Sequence, residues 1–290
     1  MKEAVILSGK GGTGKTSITA ALATGMSGVL LVDCDVDAAD LHLVLDPKPR
    51  NTHEFVSGHA AAIDTELCTS CGLCAEHCRF GAIGPDFSVR HEHCEGCGVC
   101  AFVCPTEAAA MLPRLSGHWY ISDTRLGTMV HARLLPGEEN SGKLVSAVRR
   151  AARELAEADG TSLILTDGPP GIGCPVIASL GGADLAVAVT EPTMSARHDL
   201  ERLYDLTKHF DIPMMVIINK TDVNERIVSE LHTWCRDNSI EIAGVLPYDR
   251  AFTDAQINRR TGPEHDPQGL GVAMAPIRAK LVERLFGDDE

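Results

Sequence analysis

Gly9-Lys10-Gly11-Gly12-Thr13-Gly14-Lys15-Thr16 follows the apolar run Ala4-Val5-Ile6-Leu7 and opens a helical stretch from about Lys15 to Met26. The octet fits G-x-x-x-x-G-K-S/T, with a strand before it and a helix after it. Glycines at these spacings let backbone N–H groups turn inward around phosphate oxygens, and the helix N-terminus adds a favourable dipole. Gly9, Gly11, Gly12, Thr13 and Gly14 are therefore the expected cradle for nucleotide phosphates. Lys15 is expected to reach the β- and γ-phosphates, and Thr16 to ligate Mg²⁺.

Outward from this loop the chain keeps an α/β rhythm. Gly28-Val29-Leu30-Leu31-Val32, Ser162-Leu163-Ile164-Leu165-Thr166, Leu185-Ala186-Val187-Ala188-Val189 and Met214-Met215-Val216-Ile217-Ile218 are short apolar runs, as in strands buried on both faces. Leu144 to Ala158, and the stretches around Ser195–His209 and Asn224–Asp237, read as helices between them. Such alternation implies a parallel, mostly doubly wound sheet with helices on both faces. The chain has 290 residues, 44% of them hydrophobic, which is enough core material for it. From about Ala60 to Arg114 the composition turns rich in Cys and Gly. The expectation is one α/β domain over 1–59 and 115–290, with a small α+β domain inserted at 60–114. Gly127 through Val145 reads as a long functional loop leading into a helix capped by Ser141, and His131 within it as a structural or surface histidine.

The insert contains one cysteine pattern twice. Cys68-x₂-Cys71-x₂-Cys74-x₃-Cys78 is followed by Cys94-x₂-Cys97-x₂-Cys100-x₃-Cys104-Pro105, the spacing of bacterial ferredoxins with two [4Fe-4S] clusters. In that pattern the fourth cysteine of each run ligates the other cluster. Cys68, Cys71, Cys74 and Cys104 are thus assigned to one cluster, and Cys94, Cys97, Cys100 and Cys78 to the second. Zinc is the competing reading, because C-x₂-C pairs also build zinc ribbons. Arg79 follows Cys78 where a proline follows the fourth cysteine of the second run; it either places positive charge near a cluster or faces solvent. No secretory leader fits ahead of a phosphate loop that begins at Gly9, so a reducing, cytoplasmic setting is expected for these thiols.

A second lysine early in the phosphate loop, Lys10, resembles the deviant Walker A motif of the MinD/ParA superfamily, which includes the nitrogenase iron protein and Mrp-type cluster carriers. The resemblance implies an ATPase working as an ATP-bound homodimer, in which Lys10 crosses to the partner's nucleotide. It makes Asp35, in Val32-Asp33-Cys34-Asp35-Val36-Asp37, the best candidate for positioning the attacking water, with Asp33 and Asp37 open as loop acids or caps. Asp167-Gly168-Pro169-Pro170-Gly171 looks like the second switch, where Asp167 would hold a Mg²⁺-bound water and Gly171 would sense the γ-phosphate. Asn219, in Asn219-Lys220-Thr221-Asp222, is similar to an adenine-edge residue, and Pro247-Tyr248 to the segment packing beside the base. Cys174 follows the second switch as a cluster ligand does in the nitrogenase iron protein; the favoured reading is a buried small residue.

The net charge of −14, from 26 basic and 40 acidic residues, argues against a nucleic-acid partner. The segment Ile277–Gly287 has helical apolar spacing and faintly resembles the membrane-targeting tail of MinD. Asp288-Asp289-Glu290 after it opposes anionic lipid, so a helix packed on the domain is expected. Three functions compete. The first is a nucleotide-switched dimer passing electrons through its clusters to a redox partner. The second is a scaffold or carrier in metal-cluster assembly. The third is a positioning protein whose clusters sense redox state. Two full ligand sets favour the first.

Overall fold

The computed structural model describes residues 1–287, and the acidic residues Asp288-Asp289-Glu290 lie outside the described residues. The chain divides into two compact units. The first comprises Met1–Thr52, Trp119–Arg133 and the chain from Ser141 onward; the second comprises His53–His118 and Leu134–Asn140.

In chain order the helices and strands begin with β1 (Lys2–Ser8), α1 (Lys15–Ala23), β2 (Val29–Asp33), α2 (Leu41–Leu45) and β3 (Lys48–Ile63). Next come α3 (Leu73–His77), α4 (Val99–Val103), β4 (Ala109–Thr124), β5 (Gly127–Leu134) and α5 (Ser141–Asp159). β6 (Leu163–Pro170), α6 (Cys174–Leu180), β7 (Leu185–Thr190), α7 (Met194–His209) and β8 (Met214–Ile218) follow. The chain closes with α8 (Glu225–Asp237), β9 (Glu241–Val245), α9 (Ala251–Ile257), α10 (Gly262–His265) and α11 (Leu270–Phe286).

The sheet of the first unit runs β5-β2-β6-β1-β7-β8-β9, and every pairing along it is parallel. Side chains alternate across a strand with period two, so the run Ala4-Val5-Ile6-Leu7 feeds both faces. Ala4 and Ile6 join a core with Ile18, Leu22, Leu31, Leu165, Met215 and the α11 residues Met274, Ile277, Leu281 and Leu285. Val5 and Leu7 join another with Val176, Leu180, Leu200, Leu203, Val216, Ile227 and Leu231. This two-sided burial puts the C-terminal ends of β1, β2, β6 and β8 on one edge, where open parallel sheets bind ligands. At the outset of β1, Glu3 is buried and clamped by the guanidinium groups of Arg149 and Arg153 at 2.6 and 2.7 Å, fastening α5 to the sheet.

Several boundaries differ from the sequence expectation. Helix α1 stops at Ala23 and not near Met26, because Thr24 turns extended and its hydroxyl caps the Ala20 carbonyl at 2.9 Å. The stretch from Gly127 is not a long loop. Gly127–Leu134 is β5, with Leu31, Val32 and Asp33 of β2 beside Met129, Val130 and His131. Gly127 is needed there, since a Cβ would sit 2.7 Å from the Val29 carbonyl oxygen. Ser141 is the first helical residue of α5 and not its cap, and Asn140 before it takes a left-handed φ of 75°. The C-terminal helix begins at Leu270, earlier than expected, and buries its apolar face in the core as expected.

Candidate functional site

The loop between β1 and α1 is shaped by two left-handed glycines, Gly12 at φ 81° and Gly14 at φ 94°. Gly11 and Gly12 have nothing within 4 Å of where a Cβ would stand. That leaves backbone room for a ligand over the helix N-terminus. Beside them opens a cavity of about 480 Å³ lined by Gly11, Gly12, Gly14, Lys15, Thr16, Asp35, Asn219 and Tyr248 among others. Its size suits a nucleotide-class ligand. Gly9 does not line it; Gly9 lets the loop approach α7, where a Cβ would collide with Asp199 at 2.3 Å. Thr13 is buried, and its hydroxyl has no partner. Pro247 is likewise absent from the lining, which takes Tyr248, Asp249 and Phe252 instead. Asn219 reaches the site by donating from Nδ2 to the Thr13 carbonyl at 2.8 Å.

Asp167, fully buried within β6, organises the cations and hydroxyls. It receives Lys15 Nζ at 2.8 Å, Thr16 Oγ1 at 2.7 Å and Thr19 Oγ1 at 3.0 Å. Burial disfavours the Lys15 charge, but Asp167, with Asp35 and Asp33, outweighs it and holds the lysine above its usual pKa. Asp35 lies 3.7 Å from Lys15 Nζ. Burial, only partly offset by Lys15 and reinforced by Asp167, lifts its carboxyl to about 6. Asp33 faces inward, accepting from the backbone N–H groups of Asp35 and Leu41 at 3.0 and 3.3 Å. Burial and then the Asp167 charge push it well above the carboxylate range. It is a structural acid of the loop and is absent from the cavity lining. The Thr16 hydroxyl and Asp167 carboxylate form a hard-oxygen pair of the kind Mg²⁺ selects.

The sequence match agrees with this geometry: the CobQ/CobB/MinD/ParA nucleotide binding domain matches residues 4–261. The chain belongs to that family. This MinD/ParA-family chain is 36% identical over 223 residues to an uncharacterised protein of Methanocaldococcus jannaschii, covering 76% of this chain and 78% of that one. Among solved structures it resembles the cell-division ATPase MinD of Pyrococcus furiosus, with TM-score 0.59 at 17% identity, covering 97% of this chain and 98% of that one. It also resembles Pyrococcus horikoshii MinD complexed with Mg-ADP, with TM-score 0.59 at 19% identity over 97% and 95% of the two chains. At that identity the likeness speaks for the fold. Members of the family hydrolyse ATP, and this chain is an ATPase with the α/β fold of the phosphate-loop NTPases.

Two residues of this MinD/ParA-family site escaped the sequence reading. Glu191, at the end of β7, binds Lys10 Nζ through Oε1 at 2.7 Å and Lys220 Nζ through Oε2 at 2.9 Å. Lys220 also donates to the Gly12 carbonyl at 2.7 Å. Glu191 follows an apolar strand like any loop acid, so only the fold reveals its partners. Cys174 is exposed, which overturns the expectation of a buried small residue; it opens α6 and lies against Gly142. His131 is inward and structural: it stacks on Tyr120 at 5.0 Å and bonds Ser122 Oγ at 2.9 Å. Burial, then nearby His42, lowers it to about 4. Among the described residues no helix is long and apolar enough to cross a membrane.

In the second unit, the cysteines surround two cavities. Cys68, Cys71, Cys74 and Cys104 line one. Cys78, Cys94, Cys97 and Cys100 line the other. Gly72 and Gly98, at φ 80° and 76°, precede α3 and α4 and turn the chain around each cavity. Backbone N–H groups approach sulfur: Ala61 N lies 3.4 Å from Cys94 Sγ and Ala82 N 3.3 Å from Cys78 Sγ. N–H groups of Ala109 and Thr106 lower the Cys104 thiol, whereas burial raises Cys74 and Cys100. Among the described residues no group of three or more His, Cys, Asp or Glu is gathered closely enough to hold a single metal ion. Arg114 ties the unit together, bonding the Cys94 carbonyl at 2.8 Å and pairing with Glu138.

Proposed function

We propose that this ATPase is a cytoplasmic, nucleotide-switched homodimer that couples ATP to electron transfer through two [4Fe-4S] clusters to a redox partner. The observation that carries the reading is the pair of cavities in the second unit, each lined by four cysteines drawn from both runs. A lone zinc ion needs four donors about 2.3 Å from one point, and thiols spread around a cavity suit a larger inorganic cluster better. The residues fit the group in a further way: backbone N–H groups already point at Cys94 and Cys78 sulfur, as charged thiolates require. When bound, the clusters supply one-electron chemistry at potentials set by their surroundings. Full ligand sets suit conduction, whereas a carrier needs a labile or shared site.

On the ATPase side, Lys15 would bind and neutralise β- and γ-phosphate oxygens, Thr16 and Asp167 would hold Mg²⁺, and Asp35 would orient the attacking water. Lys10 completes the partner's site in the dimer. Lys10→Ala is expected to abolish ATP-dependent dimerisation in sedimentation velocity while iron per chain stays at the wild-type level. A Lys10→Ala protein that still dimerises with ATP sinks the deviant-loop reading.

Asp35 gives a pH test. Its carboxyl is raised to about 6, so it is ionised above that pH and protonated below it. A water-orienting role needs the carboxylate. kcat/KM for ATP, which reports the free enzyme, is expected to fall tenfold per unit as pH drops below about 6. In Asp35→Asn this acidic limb should vanish along with most of the rate.

The electron-transfer reading is tested by anaerobic EPR titration of the full chain without nucleotide, with ADP–Mg²⁺ and with ATP–Mg²⁺. Nucleotide can move a cluster's potential only if redox state moves nucleotide affinity equally. A reproducible shift supports coupling. Two clusters with no shift move the assignment to cluster assembly, and no iron at all removes both readings.

A further inference from the structure

We propose that Glu191 is a positioning residue that holds Lys10 on its own subunit until a second copy docks, with Lys220 keeping the carboxylate paired after Lys10 leaves. This rests on the ATP-bound dimer proposed above. A lysine ammonium carries three donors. Those of Lys10 meet Glu191 Oε1 at 2.7 Å, Thr193 Oγ1 at 3.2 Å and Ser195 Oγ at 3.4 Å. Lys10 therefore has no donor left for a phosphate, and its side chain is absent from the nucleotide cavity that Lys15 lines. Before it serves a phosphate, in either subunit, it must give up these contacts.

Glu191 is built for that exchange. Its side chain is 14% exposed, so stripping it of every partner would leave a carboxylate poorly solvated. Lys220 on its other oxygen, at 2.9 Å, prevents this. Because Lys220 also holds the Gly12 carbonyl at 2.7 Å, the carboxylate bridges the travelling lysine and the backbone of the phosphate loop. Lys10 and Lys220 together hold Glu191 below the usual carboxylate pKa against the effect of burial, so one carboxylate charge faces two ammonium charges. Losing Lys10 leaves a balanced one-to-one pair, and losing Lys220 would leave the loop carbonyl without its cation.

Two measurements test this on the full chain. The first needs no dimer. In competitive acetylation of the nucleotide-free protein, read by mass spectrometry, Lys10 is expected to react about fivefold faster in Glu191→Gln than in wild type, with surface lysines such as Lys143 unchanged. Equal Lys10 reactivity overturns the holding role. The second is the monomer–dimer constant at saturating ATP–Mg²⁺. Glu191→Gln is expected to tighten it about fivefold, the size of one partly exposed ion pair, and Lys10→Ala/Glu191→Gln to stay monomeric. A Glu191→Gln dimer as weak as wild type, or weaker, overturns the proposal. A wild type that never dimerises with ATP overturns the dimer itself, and that outcome is distinct because the acetylation contrast can still hold.

Discussion

Asp167→Ala is expected to reduce ATP hydrolysis by at least ~10²- to 10³-fold, the loss seen when one preorganised electrostatic contact is removed from a phosphoryl-transfer or oxyanion site. Asp167 is fully buried and is the one acceptor shared by Lys15, Thr16 and Thr19. Without it the two groups that must meet the phosphates and Mg²⁺ lose their common anchor. The change also has a folding side. Lys15 is 6% exposed, and removing the partner of a buried ion pair costs about 3–5 kcal/mol in other proteins. Here the cost is tempered locally. Burial, the main cause of the raised Asp33 pKa, persists without Asp167, but Asp35, 3.7 Å from Lys15 Nζ, stays as an anionic neighbour of the orphaned lysine. The variant should therefore melt earlier but still fold, and phosphate release at saturating ATP–Mg²⁺ measures the chemistry separately. Asp167→Asn sharpens the contrast, because its amide can still accept from Thr16 but carries no charge for Lys15. If Asp167→Ala hydrolyses ATP within about threefold of wild type, Asp167 has no part in the site.

How far the sequence led follows from which interactions are local. A phosphate loop is written in eight consecutive residues, because the backbone itself makes the site, and Gly11, Gly12, Gly14, Lys15 and Thr16 of that octet line one cavity. Strands buried on both faces are legible for the same reason: β1, β2, β7 and β8 each contain an uninterrupted apolar run of four or five residues. β3 and β4 escaped notice because they carry mixed burial and polar residues such as Arg50, Asn51 and Arg114. β5 was read as a loop because Gly127 and His131 look like loop residues. In the fold that glycine allows close approach to β2, and that histidine is a buried stack with Tyr120. Glu191 was invisible because its meaning lies in residues 181 positions upstream and 29 downstream, Lys10 and Lys220. Of the Pro247-Tyr248 pair that the sequence singled out, Tyr248 lines the cavity and Pro247 does not.

Cys104→Ala and Cys68→Ala are expected to lose the same cluster, although 36 residues separate the two positions and Cys104 lies only four residues from Cys100. Each should cut iron by about four atoms per chain and erase the same reduced-state EPR signal, leaving that of the other cluster. The reason lies in where α4 delivers its two ends. Cys100, buried at its start, lines a cavity with Cys94, Cys97 and Cys78. Cys104 follows its last residue and lines the other with Cys68, Cys71 and Cys74. A helix of five residues spans about 7.5 Å, enough to part its flanking thiols between two sites. α3 does the same with Cys74 and Cys78, so each run sends its last thiol to the other site. If the runs instead bound metal separately, Cys104→Ala would share its lost signal with Cys94→Ala, and zinc in place of iron would show in elemental analysis. The crossed result carries a further consequence. Because each cluster would draw ligands from both runs, neither run could fold around its metal alone, and loss of one ligand should loosen both cavities. The remaining cluster in Cys104→Ala is therefore expected to bleach in air faster than in wild type, while an untouched second signal with wild-type stability would show that the two sites are independent.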